Sequence, residues 1–165
     1  MPMEKKRPWP PTLLERLLDE EPKKQQESYD AFFFTANNLR TVVQKEISCL
    51  LNNTNIEEQL DENRYPQVIK SVINYGVSPL VGKYANHHNW TLIEKNIRNA
   101  LLRFEPRIVP ESLLVRPLTN KAYSGNTGLV LFEIRGLIYW RPHPIDLCIN
   151  GAYDAETAKV DLKSS

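Results

Sequence analysis

The stretch Asn99–Val115, NALLRFEPRIVPESLLV, decides the fold because its hydrophobic period changes from helical to strand-like within a few residues. Apolar residues recur at the spacing of one helix face as far as Phe104. Pro106 disfavours helical geometry at the residue before it, so the helix should end at Glu105. Ser112–Leu118 then has a strand-like pattern. An acid and a base therefore flank a proline at the junction between a helix and a strand.

Three helical segments are predicted up to this junction. The first spans Asn37–Asn53, and its apolar face is formed by Leu39, Val42, Val43, Ile47, Leu50 and Leu51. The second is predicted over Gln67–Tyr75 and is stopped by Gly76, with an apolar stripe of Val68, Ile69, Val72 and Ile73. The third begins near Thr91, and Glu94 stands at the spacing of a capping box.

Strand patterns dominate the rest of the chain. Leu129–Trp140 shows the clearest alternation, and Pro144–Ile149 and Ala158–Leu162 are shorter candidates. Helices that precede strands predict an α+β fold, with the N-terminal helices packed on one face of a small, mostly antiparallel sheet. The strand Leu129–Trp140 could be central and fully paired, or it could lie at an edge and accept a strand from another chain.

The first 30 residues are predicted to be an N-terminal extension, and residues 31–165 the folded body. Prolines crowd positions 8–11, and residues 21–28 form a polar linker. Between them Thr12 can cap a short helix whose apolar stripe consists of Leu13, Leu14, Leu17 and Leu18. A helix this short is unstable alone, so it should dock either on its own body or on a neighbouring protein.

Composition argues against several classes of function. The 165 residues carry a net charge of +1, so there is no basic excess for binding nucleic acid. The basic start is followed by prolines rather than the apolar run of a signal peptide, and no segment approaches the ~18 apolar residues of a spanning helix. We therefore expect a cytoplasmic protein without direct membrane insertion. Cys49 and Cys148 are expected to be reduced thiols.

Glu105 and Arg107 are the strongest candidates for a catalytic or binding role. Glycoside hydrolysis would need a second carboxylate roughly 5–9.5 Å from Glu105, and no motif nominates one. A local ion pair and recognition of a partner remain open alternatives, because the planar guanidinium of arginine can grip carboxylates or carbonyls. His87, His88 and His143 do not show metal-ligand spacing. We expect no metal, no cofactor and no catalytic residue.

Four segments in order resemble a known family: LLERLLDEEP at 13–22, LRTVVQKEISCLLNN at 39–53, SVINYGVSPLVG at 71–82 and IRNALLRFEPRI at 97–108. The chain resembles the lysozyme-like baseplate family of contractile-tail phages, which includes the TssE-type baseplate subunits of type VI secretion systems. One departure is Ser78-Pro79, where the family commonly has Pro-Asp. The resemblance implies the phage baseplate lysozyme-like, or sheath-initiator, fold.

The resemblance also implies a structural, non-enzymatic role at the inner face of the cytoplasmic membrane. Expected partners are baseplate wedge proteins of the TssF, TssG and TssK types and contractile sheath subunits of the TssB and TssC types. The family motif places the wedge contact at Glu105, Pro106 and Arg107. The strands expected at an exposed edge, where they would bind the sheath, contribute Leu129, Leu131, Glu133, Arg135, Leu137, Ile145, Leu147 and Ile149. A peptidoglycan hydrolase that uses Glu105 is the alternative function.

Overall fold

A computed structural model describes residues 12–17, 22–24, 35–78, 90–118, 129–154, 157 and 159–164. Its helices are α1 (Leu13–Leu17), α2 (Ala36–Leu51), α3 (Pro66–Ile69) and α4 (Trp90–Phe104). Its strands are β1 (Leu114–Pro117), β2 (Leu129–Ile138), β3 (Ile145–Asp154) and β4 (Lys159–Ser164). Short 3-10 turns lie at Glu57–Gln59, Val72–Asn74 and Pro110–Ser112. The order of helices and strands confirms the predicted α+β fold.

The four strands form an antiparallel sheet in the order β1-β2-β3-β4. The prediction that β2 and the start of β3 lie at an exposed edge is wrong for β2. That strand pairs with β3 along its whole length, from Leu129 to Ile138, and with β1 on its other side. Alternation shows which face of a strand is buried but not how many neighbours the strand has. Among the described residues, the outermost strands are β1 and β4.

The core lies between α2, α4 and the inner face of the sheet. The predicted helix faces are largely confirmed, because Val43 and Ile47 of α2 and Leu101 of α4 are 0 % exposed. Phe132 of β2 is also 0 % exposed, and its ring crosses Gly151 on β3, where a Cβ atom would lie 2.3 Å from the ring. Each fully buried side chain of this size contributes about 1.5–3 kcal/mol, so this interior is the main source of stability.

The predicted second helix is not continuous. It consists of the single turn α3 and the 3-10 turn Val72–Asn74, and Val72 and Ile73 are 79 % and 81 % exposed. Asn74 accounts for the break: its side chain, 1 % exposed, donates to Ile69 O at 3.1 Å and accepts from the Ile56 N–H at 3.0 Å. A buried amide with such partners holds the turn against the neighbouring segment, which overrides the apolar periodicity.

Candidate functional site

The Glu105-Pro106-Arg107 turn joins α4 to the sheet. The Glu105 N–H still donates to Leu101 O at 2.9 Å, as in the last turn of a helix. Beyond the proline, Arg107 O accepts from the Tyr139 N–H at 2.8 Å, next to the end of β2. The turn is therefore fixed to the helix on one side and to the sheet on the other. The predicted end of the helix at Glu105 is confirmed, since α4 ends at Phe104.

The two charges of the turn form an ion pair within the chain. Arg107 Nε lies 2.7 Å from Glu105 Oε1, and Arg107 Nη2 lies 2.6 Å from Glu105 Oε2, which is the two-pronged geometry of a strong arginine–carboxylate pair. Arg107 Nη2 also contacts Glu46 Oε2 on α2. The exposed fractions of the side chains are 4 % for Glu105, 23 % for Arg107 and 38 % for Glu46. The local ion pair is thus present, and Nη1, the third guanidinium nitrogen, is buried.

A pocket of about 270 Å³ opens beside this ion pair. Its lining residues are Glu46, Ile47, Leu50, Tyr75, Phe104 and Glu105. Burial raises the pKa of Glu105 to about 7, against the hydrogen bond from the backbone N–H of Arg107, which lowers it. Burial also raises the pKa of Tyr75, with a smaller contribution from the charge of nearby Cys49. Tyr75 and Phe104 meet edge to face, with ring centroids 5.2 Å apart.

Glu46 is the second carboxylate that sequence reasoning missed. The only sequence feature that points to Glu46 is its position next to Ile47, at the side of the apolar face of a predicted helix. Glu46 and Arg107 are 61 residues apart in the sequence. Both carboxylates contact the same guanidinium, so neither is free to act as an acid or a nucleophile in this arrangement. The geometry instead holds the guanidinium of Arg107 in a fixed position between two carboxylates.

The residues expected to bind the sheath divide between the two faces of the sheet. Ile145, Leu147 and Ile149 are at most 5 % exposed, so their side chains belong to the core and are not available to a partner. Five of the expected residues lie on the outer face, opposite the helices: Leu129, Leu131, Glu133, Arg135 and Leu137. The backbone of β2 is hydrogen-bonded to β1 and β3, so a strand from a partner would have to pair with an edge strand of the sheet instead.

Glu133 is the centre of a charged cluster on the outer face. Its carboxylate accepts from Arg116 Nε at 2.5 Å and from Arg135 Nη2 at 2.9 Å, and Cys148 Sγ lies 3.5 Å away. The hydrogen bond from Arg135 is the main reason that the pKa of Glu133 is lowered. The side chain of Glu133 is only 5 % exposed, whereas both arginines are about half exposed (49 % and 53 %).

The other predicted sites lie on the N-terminal helix, at the histidines and at the cysteines. Leu13, Leu14 and Leu17 of α1 are 71 %, 57 % and 73 % exposed, whereas Leu18 lies outside the described residues, as do His87 and His88. His143 is exposed. Both cysteines are free thiols. Across the described ranges, no three potential ligands cluster as a metal site would require, and each helix is too short or too polar to cross a bilayer.

A family comparison decides what this chain is similar to. The family described as baseplate wedge protein gp25 matches residues 37–143, which include all of α2 but its first residue, α4, the Glu105–Arg107 turn and β2. The chain belongs to the gp25 baseplate wedge family. No curated protein and no solved structure matches it significantly. The gp25 match confirms the resemblance drawn from the four sequence segments and assigns the chain a structural role in a baseplate.

The gp25 match fully covers three of the four segments that carried the resemblance, 39–53, 71–82 and 97–108, and the structure gives a physical reason for motifs in the first two. In LLNN, Asn53 O is 2.4 Å from the position that a Cβ atom of Gly76 would occupy. In SVINYG, Gly76 has φ +127°, a conformation that side chains rarely tolerate. The Val77 N–H donates to Asn53 O at 2.9 Å, so the two motifs hold each other. Both have a structural role that is independent of any partner.

Proposed function

We propose that this chain is a structural subunit of the baseplate of a contractile type VI secretion system. It joins wedge proteins of the TssF, TssG and TssK types and starts sheath assembly by giving sheath subunits of the TssB and TssC types a strand to pair with. In this role it works at the baseplate on the inner face of the cytoplasmic membrane. The chain holds its partners and makes or breaks no covalent bond.

Membership of the gp25 baseplate wedge family carries this proposal, and the sheet supports it. Among the described residues, β4 pairs only with β3, so no strand lies on its other side. Strand addition derives affinity from main-chain hydrogen bonds and specificity from alternate side chains. We therefore assign the sheath contact to the margin of β4 rather than to the β2 residues expected from sequence. β2 and β3 support β4 from its paired side.

The wedge contact is assigned to the Glu105-Pro106-Arg107 turn. Glu105 and Glu46 hold the guanidinium of Arg107 in place, which lowers the conformational entropy lost when a partner binds it. A planar guanidinium can bind carboxylates or the carbonyls at the end of a helix, and the Arg107 side chain is 23 % exposed. Pro106 is exposed beside it and fixes the direction of the turn.

Co-purification tests the wedge contact. The chain is co-expressed with the wedge and sheath proteins of its own system, as wild type, Arg107→Ala and Arg141→Ala; Arg141 is an exposed arginine outside the turn. Arg107→Ala should weaken wedge binding by roughly 30-fold, because truncation of an interface arginine costs about 2 kcal/mol. Arg141→Ala should bind like wild type. Equal binding by all three, with intact circular dichroism spectra, would contradict the wedge assignment.

A peptidoglycan hydrolase is a second candidate, favoured by one observation. The pKa of Glu105, raised to about 7, would suit a general acid, and Glu46 lines the same pocket. The contact of both carboxylates with Arg107 counts against it. Peptidoglycan turnover by the purified chain that is lost in Glu105→Gln would favour the hydrolase, whereas no turnover by the wild type would leave the structural role.

A further inference from the structure

The C-terminal end of α2 lies against the outer margin of β4. Asn52, the residue that caps α2, turns its side-chain amide toward the backbone of Val160. Asn52 Nδ2 donates to Val160 O at 2.9 Å, and Asn52 Oδ1 accepts from the Val160 N–H at 3.0 Å. These are the two bonds that one residue of a neighbouring strand would make. Asn52 therefore takes the place of a strand residue at one position of the margin.

The direction of these bonds shows which backbone groups remain open. Along a strand, the N–H and C=O of successive residues point alternately to the two sides. Because Val160 points toward Asn52, Leu162 and Ser164 point their backbone groups the same way, and in the described part of the chain no strand pairs with β4 on that side. Within the described ranges, the margin of β4 thus has one position closed by a side chain and two positions without a strand partner.

A second residue of α2 covers the continuation of this margin. β3 begins at Ile145, whereas β4 ends opposite Ile149, so four residues of β3 extend past β4. In that stretch Arg40 Nε donates to Asp146 O at 3.0 Å. Polar side chains near both ends of α2 therefore satisfy backbone groups that would otherwise invite an incoming strand, which is a known protection of sheet edges.

The side chains of β4 indicate the chemistry of a strand that would fit. Lys159, Asp161 and Lys163 are exposed on the outer face, and Val160 and Leu162 face the core side. Opposite charges on neighbouring strands stabilise a sheet, and like charges destabilise it. The best partner therefore alternates acid, apolar, base, apolar and acid along its length.

We propose that the margin of β4 is a strand-binding site which Asn52 closes in the free chain. The occupant is an extended segment with the alternation just described, and its identity as a sheath strand rests on the proposed function. When it binds along the whole of β4, its backbone takes over both hydrogen bonds that Asn52 makes with Val160. The number of hydrogen bonds at Val160 is conserved, so the cost of opening the site is the displacement of the Asn52 side chain.

Amide hydrogen exchange of the full chain tests whether Asn52 closes the margin. Asn53→Ala is the matched control, because Asn53 Nδ2 bonds Cys49 O at 2.7 Å just as Asn52 Nδ2 bonds Ser48 O at 2.9 Å, but Asn53 makes no bond to β4. In Asn52→Ala the Val160 amide should exchange at least about tenfold faster than in wild type, because it loses its acceptor. In Asn53→Ala its rate should be unchanged. An unchanged Val160 rate in folded Asn52→Ala would overturn the proposal.

Peptide binding tests whether the opened margin accepts a strand. The probe is a fluorescein-labelled peptide with the core Glu-Val-Lys-Val-Glu, which matches β4 in either direction, and its control carries N-methyl groups that remove the backbone donors. We expect Asn52→Ala to bind the probe at least about fivefold tighter than wild type and Asn53→Ala do, and the methylated peptide not to bind. Equal binding by Asn52→Ala and wild type, or by both peptides, would overturn the proposal.

Co-purification with sheath proteins distinguishes failure of the proposed function from failure of the strand-binding site. If both assays succeed but sheath proteins do not co-purify with the chain, the strand-binding site stands and its assignment to the sheath is wrong. If Asn52→Ala does not fold, Asn52→Asp replaces it, because aspartate keeps an acceptor for the Val160 N–H and loses the donor to Val160 O. Exchange at Val160 should then stay slow while probe binding increases, and an unchanged affinity would overturn the proposal.

Discussion

Glu105 shows how two opposing effects meet at one residue. Its side chain is 4 % exposed, and removal from water disfavours the charged carboxylate. The guanidinium of Arg107 stands next to both of its oxygen atoms and favours the charged form. Buried ion pairs of this kind give little net stability, but they become costly when only one partner is removed. Glu105 is therefore better placed to position Arg107 than to stabilise the fold.

The pH dependence of stability tests the burial of Glu105. Its pKa is about 7 in the folded chain against a reference value of 4.5, so the folded state binds more protons between these pH values. The free energy of unfolding of wild type, relative to Glu105→Gln, should fall by up to about 1.4 kcal/mol per pH unit as pH rises from 4.5 to 7, and then level off. Urea titrations from pH 5 to 8 measure it. A difference that grows with pH would show that Arg107 outweighs burial.

Gly151 is required by the aromatic ring that crosses it. A Cβ atom at this position would lie 2.3 to 2.8 Å from three ring atoms of Phe132, whereas at Gly136 the nearest atom would be 3.5 Å away. Gly151→Ala should therefore lower the free energy of unfolding by about 1–3 kcal/mol through overpacking. Gly136→Ala should change it much less. Thermal and urea unfolding of both variants make the comparison, and equal effects would show that the ring moves aside freely.

The residues of the candidate site were only partly predictable. The Glu-Pro-Arg turn stands out in the sequence because a proline ends a helix there. Glu46 does not, because its role depends on a contact with Arg107 that forms only in the folded chain. Asn52 lies in the last turn of the helix predicted over Asn37–Asn53, but its bonds to Val160 span 108 residues and leave no local signature.

Among the elements, those with long and regular hydrophobic patterns were predicted best. α2 and α4 begin and end within two residues of their predicted limits, since burial of one face and the period of 3.6 residues agree. β3 continues five residues beyond the predicted Ile149, through Asn150 and Gly151, which are poor signals for a strand. The broken second helix was missed because a buried asparagine, rather than periodicity, determines its path.

Two isoleucines near this break give a matched test. Ile69 in α3 is 6 % exposed, whereas Ile73 in the following turn is 81 % exposed. Ile69→Ala should lower the free energy of unfolding by about 2–5 kcal/mol, because it leaves a cavity in a packed region. Ile73→Ala should change it by less than about 0.5 kcal/mol. Chemical denaturation of both variants measures the difference; equal losses would mean that the second helix is continuous in solution.

At the scale of the whole molecule, the described leucines of α1 give that helix an exposed apolar surface. Leu13, Leu14 and Leu17 are each more than half exposed, and a helix of five residues is unstable without a surface to pack on. The body, by contrast, has its own core. We infer that α1 docks on a wedge partner, as one of the two alternatives from sequence suggested.

Replacing these three leucines by serine separates the two alternatives for α1. If α1 serves a partner, the free energy of unfolding of the isolated chain should stay within about 0.5 kcal/mol of wild type, because the changed side chains are exposed. Co-purification with wedge proteins should fall. A clear loss of stability with unchanged wedge binding would instead indicate that the helix packs on its own body.

The antiparallel pairing of β4 with β3, and of β3 with β2, has a mechanical consequence. A pull on β4 along its axis loads the β3–β4 hydrogen bonds, from Lys159 to Ser164, in shear and all at once. β3 passes that load to β2 over an even longer stretch. Rupture then requires many bonds to fail together, whereas a pull across the strands would open them one after another. The sheet is thus strongest against tension parallel to its strands.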